Sequence, residues 1–220
     1  YTVGTPGAAA VWLTSDEGGQ LNAMGLNEYF GALGDGTLTS HSTPGLVIGE
    51  GSSGVVAVAG GVYHGLFIKT DGSLWAMGSN ESGQLGDGTT TNHGTPVAVT
   101  GAGTSGVVGI AGGYNFCLFI KNDGSLWGMG YNEYGQLGDG TNTQRNTPVA
   151  VIGAGASGVV AVAAGAYHSL YIKADGSLWA MGRGNFGQLG DGTTTYENRT
   201  PLAVTGAGTS GVVAAAAGLN

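Results

Sequence analysis

The stretch that decides the fold is G-Q-L-G-D-G, which occurs at residues 83–88, 135–140 and 187–192. A variant, G-A-L-G-D-G, occupies residues 31–36, so that the four copies stand 52 residues apart. A fixed period of this length indicates a repeat architecture, in which each unit packs against the next. We therefore expect a single repeat domain over 1–220, with units at about 1–54, 55–106, 107–158 and 159–211 and a closing strand at 212–220.

Each unit contains four short runs of β-prone residues, most clearly at 107–111, 116–121, 125–129 and 148–152. Glycine, asparagine, aspartate and proline bound these runs, which is typical of strands joined by tight turns. Asp-Gly joins the second and third runs and supplies the positive φ that a tight hairpin requires. The pattern predicts an all-β fold of four-stranded antiparallel sheets, as in a sandwich, a barrel or the blades of a β-propeller.

The two ends of the chain hold complementary parts of this repeat. Residues 9–15, 20–25 and 44–48 have the register of a second, third and fourth strand, whereas 212–218 have that of a first strand. We therefore expect the C-terminal strand to complete the N-terminal blade and to remove an open sheet edge. Completion within the chain would give a four-bladed ring, and completion between chains would give an eight-bladed pair or a filament. The sequence leaves these alternatives open.

Composition limits the possible partners. Glycine supplies 47 of 220 residues, but proline is rare and there is no G-X-Y period, which excludes collagen. The 41% of apolar residues argues against disorder. The net charge of −8 argues against a nucleic-acid partner, because phosphate binding needs a basic face. No apolar run approaches the ~20 residues of a membrane-spanning helix. The chain begins at Tyr1 rather than methionine, and a removed secretion signal would explain this, so we expect an exported mature chain.

Four phrases carry a family resemblance: D-G-S-L-W-A-M-G at 71–78, N-E-S-G-Q-L-G-D-G at 80–88, T-P-V-A-V at 95–99 and A-G-G-V-Y-H-G-L at 59–66. With them the chain resembles the regulator of chromosome condensation repeat family, particularly its bacterial and phage exported members. The resemblance implies a β-propeller of four-stranded blades.

The chain departs from the family pattern in two ways. Family propellers commonly have seven blades, whereas four units occur here. Methionine also stands where the family usually has tryptophan before the glycine of the third strand. Family activities include guanine-nucleotide exchange on a small GTPase, ultraviolet sensing and β-lactamase inhibition. None of these activities transfers to this chain residue by residue.

Residues that could carry chemistry belong to the repeat itself. The aspartate of G-D-G is a turn residue between two glycines, and no D-x-D-x-D spacing supplies calcium ligands. His64 and His168 share a position with Phe116, which favours packing over metal binding. The single Cys117 aligns with Gly65 and Ser169 and is expected to be a buried free thiol. We expect no catalytic residues, no metal and no cofactor.

The copies differ between G-D-G and T-P, where exposed loops are expected to carry recognition. Arg183 joins these positions because it faces Ser79 and Tyr131 in register. The alternative is that the loops are solvated and vary without consequence. The candidate partner contacts are His41, His93, Arg145, Arg183, Tyr196, Glu197 and Arg199.

These features predict a non-enzymatic scaffold propeller, extracellular or on a cell or virion surface, that binds a protein or glycan partner through loops and blade faces. One alternative is a structural subunit of a filament or virion that assembles by terminal-strand exchange. Another is an exchange regulator of a small GTPase, which would need a shaped acidic or mixed interaction face. Fold by itself assigns none of them.

Overall fold

The computed structural model describes the backbone of residues 10–13 and all of residues 19–153, 156–206 and 208–218. Fifteen strands form within these residues. In chain order they are β1 (Ala10–Leu13), β2 (Leu21–Gly25), β3 (His41–Leu46), β4 (Val55–Gly60), β5 (His64–Lys69), β6 (Leu74–Gly78), β7 (His93–Ala98), β8 (Val107–Gly112), β9 (Phe116–Lys121), β10 (Leu126–Gly130), β11 (Arg145–Ala150), β12 (Val159–Ala164), β13 (His168–Lys173), β14 (Leu178–Arg183) and β15 (Glu197–Ala203). These residues contain no helix long and apolar enough to cross a membrane.

The strands form four antiparallel sheets, one for each repeat unit. Strands β4 to β7, β8 to β11 and β12 to β15 each form a four-stranded sheet in chain order, and β1 to β3 form a three-stranded one. The strand β4 packs against β1 and β8, and β12 packs against β8, so the sheets stand side by side in a row. The predicted fold class, an all-β propeller of four-stranded antiparallel blades, is confirmed.

The hydrophobic core lies between neighbouring blades. One cluster joins Leu66 and Leu74 of the second blade to Cys117, Phe119 and Met129 of the third. The leucine of each G-x-L-G-D-G copy is at most 1% exposed, including that of the fourth copy, which no described blade follows. Burying a leucine side chain stabilises a protein by about 2 kcal/mol, so each copy of the motif contributes to the core.

The glycines of the motif allow adjacent blades to approach closely. At Gly135 an added Cβ would lie 2.5 Å from the Cα of Arg199 in the following blade, and Gly140 donates a 2.9 Å hydrogen bond to the carbonyl of Arg199. The second motif glycine, Gly138, lies against the sulfur of Met181. This contact explains the recurrent methionine, which fills the space above a glycine of the preceding blade.

The fourth strand of each unit begins earlier than the sequence predicts. In the third blade it spans Arg145–Ala150, whereas the prediction was 148–152. The ladder is irregular here, since Gly128 pairs with Val149 but Gly130 pairs with Arg145. The bulge places extra residues in the outer strand, so the pairing reaches back to the residue after the loop.

The C-terminal segment does not complete the first blade within the chain. Val212 donates to Gly176 and Gly218 accepts from Ala166, so residues 212–218 lie beside the last blade, at the opposite end of the row from β1. They take no strand conformation, and residues 219 and 220 lie outside the described part. Of the alternatives that the sequence left open, closure within one chain is not formed by the described residues. Closure between chains stays a prediction.

The first strands of the complete blades each expose one valine. Val56, Val108 and Val160 on β4, β8 and β12 are 52%, 60% and 60% exposed. Ala59 on β4 is buried in its position opposite Leu66, and Gly112 on β8 lies against the backbone of Gly60 and Gly61 in the neighbouring blade. The first strands therefore present an apolar stripe to solvent.

Candidate partner-binding face

Two kinds of loop from every complete blade meet at one edge of the sheets. Because neighbouring strands are antiparallel, the turn from first to second strand and the loop from third to fourth strand lie at the same edge. We call this edge the upper face, and the edge with the Asp-Gly hairpins the lower face. Backbone bonds tie the two kinds of loop together, as Ser79 donates to Tyr63 at 2.8 Å.

Aromatic rings cross the upper face from the first blade to the fourth. Neighbouring ring centroids are 5.3 to 6.2 Å apart, within the range of favourable aromatic contact. We call this row the aromatic belt; its members in order are Phe30, Tyr63, Tyr114, Tyr167, Tyr134 and Tyr196. Further rings, those of Tyr29, Tyr131 and Phe186, contact belt residues or the guanidinium that stacks on them.

The belt is half-buried, and it is most open at Tyr196, which is 56% exposed. The rings of Tyr29 and Phe186 beside the belt are 67% and 64% exposed. Burial and the neighbouring Tyr63 and Tyr167 raise the pKa of Tyr114, so its hydroxyl is neutral near pH 7. A contiguous exposed patch of rings marks an interaction surface more often than a chance arrangement. The belt is therefore the strongest candidate for a binding site in the described residues.

Arg183 occupies one end of the belt. Its guanidinium carbon lies 5.4 Å from the centroid of Tyr134, 5.8 Å from that of Tyr167 and 5.2 Å from that of Phe186. Its Nε donates a 2.8 Å hydrogen bond to Asn185. A guanidinium over a ring face within about 6 Å is attracted by the ring quadrupole. The belt thus already stacks with one cation.

Carboxylates surround the rings on the upper face. Glu28 and Glu81 are exposed and have no hydrogen-bond or ion-pair partner among the described residues. Glu133 accepts a hydrogen bond from the hydroxyl of Tyr131, and together with burial this bond raises the pKa of that tyrosine. The face therefore offers free anionic groups next to free ring surface.

A buried asparagine fixes the third-to-fourth-strand loop in the first three units. In the third unit the side chain of Asn132 accepts from the backbone of Leu137 at 2.9 Å and donates to Asp139 at 3.0 Å. It also donates to the carbonyls of Thr141 and Thr143. Asn27 and Asn80 make the corresponding contacts. The fourth unit has Gly184 in this register and therefore lacks the clamp.

Three of the predicted contact residues each bind the aspartate of their own motif. His41 lies 2.9 Å from Asp35, His93 lies 3.0 Å from Asp87, and Arg145 lies 2.7 Å from Asp139. Burial works to raise the pKa of Asp139, but hydrogen bonds from Arg145 and Thr141 outweigh it and hold that pKa below its usual value. These side chains stabilise the loop, one in each of the first three blades.

In the fourth unit the predicted contacts arrange differently. Glu197 binds Arg199 at 2.7 Å and accepts from Asn142 of the preceding blade at 3.0 Å. Arg183 and Tyr196 both contact Tyr134, so the structure brings these two together in the belt. The other five predicted residues lie outside the belt.

The expected loop position was wrong for five of the seven predicted residues, because the bulged outer strand starts early. His41, His93, Arg145 and Glu197 are the first residues of β3, β7, β11 and β15, and Arg199 lies within β15. Tyr196 precedes β15 directly and Arg183 ends β14. Whether these seven residues contact a partner stays a prediction.

The buried histidine and the thiol lie in the seam between blades. His64 is fully buried with its Nε2 3.1 Å from the sulfur of Cys117, and burial lowers the pKa of His64 to about 4. Burial also raises the pKa of Cys117. Among the residues that the structure describes, no three His, Cys, Asp or Glu side chains cluster as metal ligands. The neutral imidazole and thiol act in packing, and the predicted buried free thiol is confirmed.

The lower face is built from repeated contacts. The ammonium groups of Lys69, Lys121 and Lys173 lie 5.4 to 5.8 Å above the rings of Trp75, Trp127 and Trp179. Each hairpin aspartate accepts hydrogen bonds from the serine two residues later. The hairpin lysines and aspartates are thus already partnered on this face.

Sequence reasoning missed the tyrosines of the belt. They do not share one repeat position, since Tyr63 and Tyr167 are in register with Asn115, whereas Tyr114 is in register with Val62 and Ala166. An alignment of the units with a period of 52 residues therefore puts these tyrosines in different columns, although the fold places their rings in contact. The sequence did contain a usable signal: the turn between the first and second strands holds a tyrosine in each complete blade, and Tyr114 is shifted by one residue relative to the other two.

The repeated four-stranded blades define this protein as a β-propeller, and sequence comparison gives the family. The regulator of chromosome condensation (RCC1) repeat matches residues 71–120, 123–172 and 175–220, and a second profile of the same repeat matches 55–84, 107–136 and 159–188. The chain belongs to the regulator of chromosome condensation repeat family.

Individual relatives agree with this assignment. The chain is 34% identical over 182 residues to the ultraviolet-B receptor UVR8 of Arabidopsis thaliana, an alignment that covers 83% of this chain and 41% of the receptor. It is 33% identical over 190 residues to the human E3 ubiquitin-protein ligase HERC2, covering 86% of this chain and 4% of the ligase.

Solved structures show the same fold. Human WBSCR16 superposes with a TM-score of 0.75 at 29% identity, over 89% of this chain and 49% of that protein. Prp20p of Saccharomyces cerevisiae superposes with a TM-score of 0.77 at 20% identity, over 92% of this chain and 49% of Prp20p. The chain therefore spans about half the length of these propellers.

Proposed function

We propose that this chain is a non-enzymatic interaction propeller that binds a protein or glycan partner through its upper face, in an extracellular or surface location. The aromatic belt is the observation that carries the proposal. Tyrosine and arginine are the residues that most often dominate binding energy at protein interfaces, and the belt concentrates both. Its half-buried rings are held by contacts with one another, so little side-chain entropy is lost on binding.

The relatives support an interaction role. Prp20p, whose likeness to this chain is one of fold, is described as binding Gsp1p and histones, and a yeast RCC1 structure was solved bound to Kap60. Loops on a rigid scaffold are common binding sites, and the clamped upper loops have this character. The acidic upper face supports a partner other than nucleic acid.

The proposal can be tested by selecting peptides from a display library against the immobilised protein. The selected peptides are then measured against a belt variant, Tyr63→Asn with Tyr114→Ala. Both replacements occur naturally at the same positions of sister repeats, as Asn115 and Ala166, so the variant is expected to fold. We expect the selected peptides to lose at least about tenfold in affinity, because the rings supply the contact area.

A matched lower-face variant, Asp123→Asn, provides the control and should bind the peptides as the wild type does. Peptides that bind the belt variant at full strength would contradict the upper-face proposal. A glycan array probed with the same three proteins tests the glycan alternative by the same criterion.

A second candidate function is assembly between copies, which the exposed stripe on the first strands favours. Val213 is 92% exposed beside the last blade, and it continues the stripe of Val56, Val108 and Val160. A second copy that paired with residues 212–218 would satisfy open backbone groups there. Light scattering should then show a dimer or polymer that deletion of residues 212–220 abolishes. A monomeric mass for both proteins would contradict assembly.

A further inference from the structure

We propose that the aromatic belt binds an arginine-bearing segment of a protein partner, whose guanidinium stacks where Phe30, Tyr63 and Tyr114 meet. This inference rests on the proposed interaction function and names the chemistry of the partner. The internal contact of Arg183 supplies the template, and the unpaired carboxylates nearby supply the charge complementarity.

The backbone repeats the position of Arg183 in each of the neighbouring blades. The amide of Arg183 donates to Tyr167 at 2.9 Å, that of Tyr131 donates to Asn115 at 2.8 Å, and that of Ser79 donates to Tyr63 at 2.8 Å. The loop therefore starts from the same point beside the belt in all three blades. Only the fourth blade places a cation there.

The rings between the first and third blades carry no internal cation. Phe30 and Tyr63 lie 5.3 Å apart with planes inclined by 57°, and Tyr63 and Tyr114 lie 6.2 Å apart with planes nearly perpendicular. Inclined rings still offer ring faces on which a planar cation can stack. Ser79 supplies no cation there, since its buried hydroxyl accepts a 3.1 Å hydrogen bond from Gln84.

Charge on the upper face favours a cationic ligand. The upper loops and the strand ends beside them carry eight carboxylates and three guanidinium groups, and each guanidinium already has a partner: Asp139 for Arg145, Glu197 for Arg199, and Asn185 with the rings for Arg183. Glu28 stands two residues before Phe30, and Glu81 stands in the following upper loop; both are exposed and have no partner among the described side chains. A ligand with guanidinium groups can therefore stack on rings and pair with carboxylates at once.

Arginine suits this surface better than lysine does. Its planar guanidinium stacks on aromatic faces, is weakly hydrated and pairs with carboxylates through two parallel hydrogen bonds. The ammonium group of lysine attracts a carboxylate as a point charge, but it neither stacks on a ring nor forms the two parallel hydrogen bonds. A neutral polar ligand would leave the two glutamates without compensation.

The test uses three fluorescent Gly-Ser peptides that are identical except for arginine, lysine or glutamine at the same positions. Fluorescence anisotropy measures their binding to the full chain at low and high salt. We expect the arginine peptide to bind best, the lysine peptide to bind about threefold to tenfold more weakly, and the glutamine peptide not to bind. High salt should weaken the binding of the arginine peptide, since the carboxylates that pair with it are exposed.

Variants taken from sister repeats locate the site. Tyr63→Asn and Tyr114→Ala should each weaken the arginine peptide about tenfold, and Glu81→Asn, which copies Asn185, about threefold. Asp123→Asn removes an equal charge from the lower face and should leave binding unchanged. Melting temperatures of the four variants establish that each remains folded.

Equal binding of the arginine and glutamine peptides would overturn the inference, as would full-strength binding of the arginine peptide to the folded belt variants. If display selection yields belt-dependent peptides without basic residues, the interaction function stands and the arginine preference fails. If the selected peptides ignore the belt altogether, both proposals fail.

Discussion

The third and fourth upper loops contain the same phrase, G-Q-L-G-D-G, but the phrase performs different structural roles in them. In the third unit Gly135 lies against the backbone of Arg199 and Gly140 is bonded to the following blade. In the fourth unit an added Cβ at Gly187 would meet nothing within 4 Å, because no described blade follows. The same six residues therefore form a joint between two blades in the third unit and a free loop in the fourth.

The residues around the phrase change together with its role. The buried Asn132 becomes Gly184, and Asn198 takes the pairing position of Arg145 opposite the last glycine of the third strand. The fourth loop has instead gained Arg183, Phe186 and Tyr196 at the belt. The added cation and rings therefore stand in the loop that no described following blade restricts.

The largest expected contrast comes from the two equivalent glycines. Gly135→Ala should lose about 4 kcal/mol of unfolding free energy, of which about 1–2 comes from the positive φ and the rest from the clash with Arg199. Gly187 has the same φ of +77°, so Gly187→Ala should lose only about 1 kcal/mol. Urea denaturation of both variants measures the difference. Equal losses would show that the contact of Gly135 with the following blade contributes nothing to the free energy of unfolding.

The buried amide gives the next largest effect. Asn132→Ala leaves the buried amide of Leu137 without its acceptor and removes one of several donors to Asp139, which should cost about 3 kcal/mol. Asn185→Ala in the fourth loop serves as the control and should cost less than about 1 kcal/mol, since within the described part of the chain the Asn185 side chain is hydrogen-bonded to Arg183 alone. Denaturant unfolding followed by tryptophan fluorescence measures both. A similar small loss for the two variants would contradict the clamp.

These contrasts also show what the repeat could and could not predict. Asp-Gly at 123–124 and the β-prone runs predicted the strands and hairpins, because those signals are local. The contact of Gly138 with Met181 could not be predicted in the same way, since it depends on how one blade rotates against another. The fixed spacing did predict that blades are equivalent, and this part of the fold is confirmed.

The sequence predicted only the residues at one end of the candidate site. Arg183 and Tyr196 were selected because they break the repeat, and both lie in the belt. Tyr63 and Tyr114 were not selected, because aligning the units places them at different positions and hides their contact. Ring contacts between blades depend on side-chain direction at the turns, which periodicity does not encode.

A pH-dependent difference is expected between the second and third blades, where His64 and Phe116 occupy one position. Burial lowers the pKa of His64 to about 4 from about 6.5, so the unfolded chain binds the extra proton between these values. Stability should be full above about pH 6.5 and should fall by up to about 3 kcal/mol as the pH drops to 4.

The variant His64→Phe should remove this part of the pH dependence, because Phe116 shows that a ring without a charge fits the position. Thermal melts at pH 7 and pH 4.5 compare the variant with the wild type. If both proteins lose the same stability between these pH values, the imidazole does not lie buried and neutral in the seam.

The smallest effect concerns the ion pair of the third loop. Arg145→Asn copies Asn198 and should cost about 1 kcal/mol or less, because the guanidinium is partly exposed. The loss should shrink at high salt. Chemical unfolding at two salt concentrations checks both statements. A salt-independent loss above about 3 kcal/mol would instead assign Arg145 a packing role.

Amide hydrogen exchange measured residue by residue tests the contrast between joint and free loop most directly. The last motif glycines Gly36, Gly88 and Gly140 each donate to the following blade at 2.8 or 2.9 Å, whereas Gly192 has no acceptor among the described residues. We predict slow exchange at Gly36, Gly88 and Gly140 and fast exchange at Gly192. Equal protection at all four glycines would contradict the account, because it would mean that the fourth copy is a joint as well.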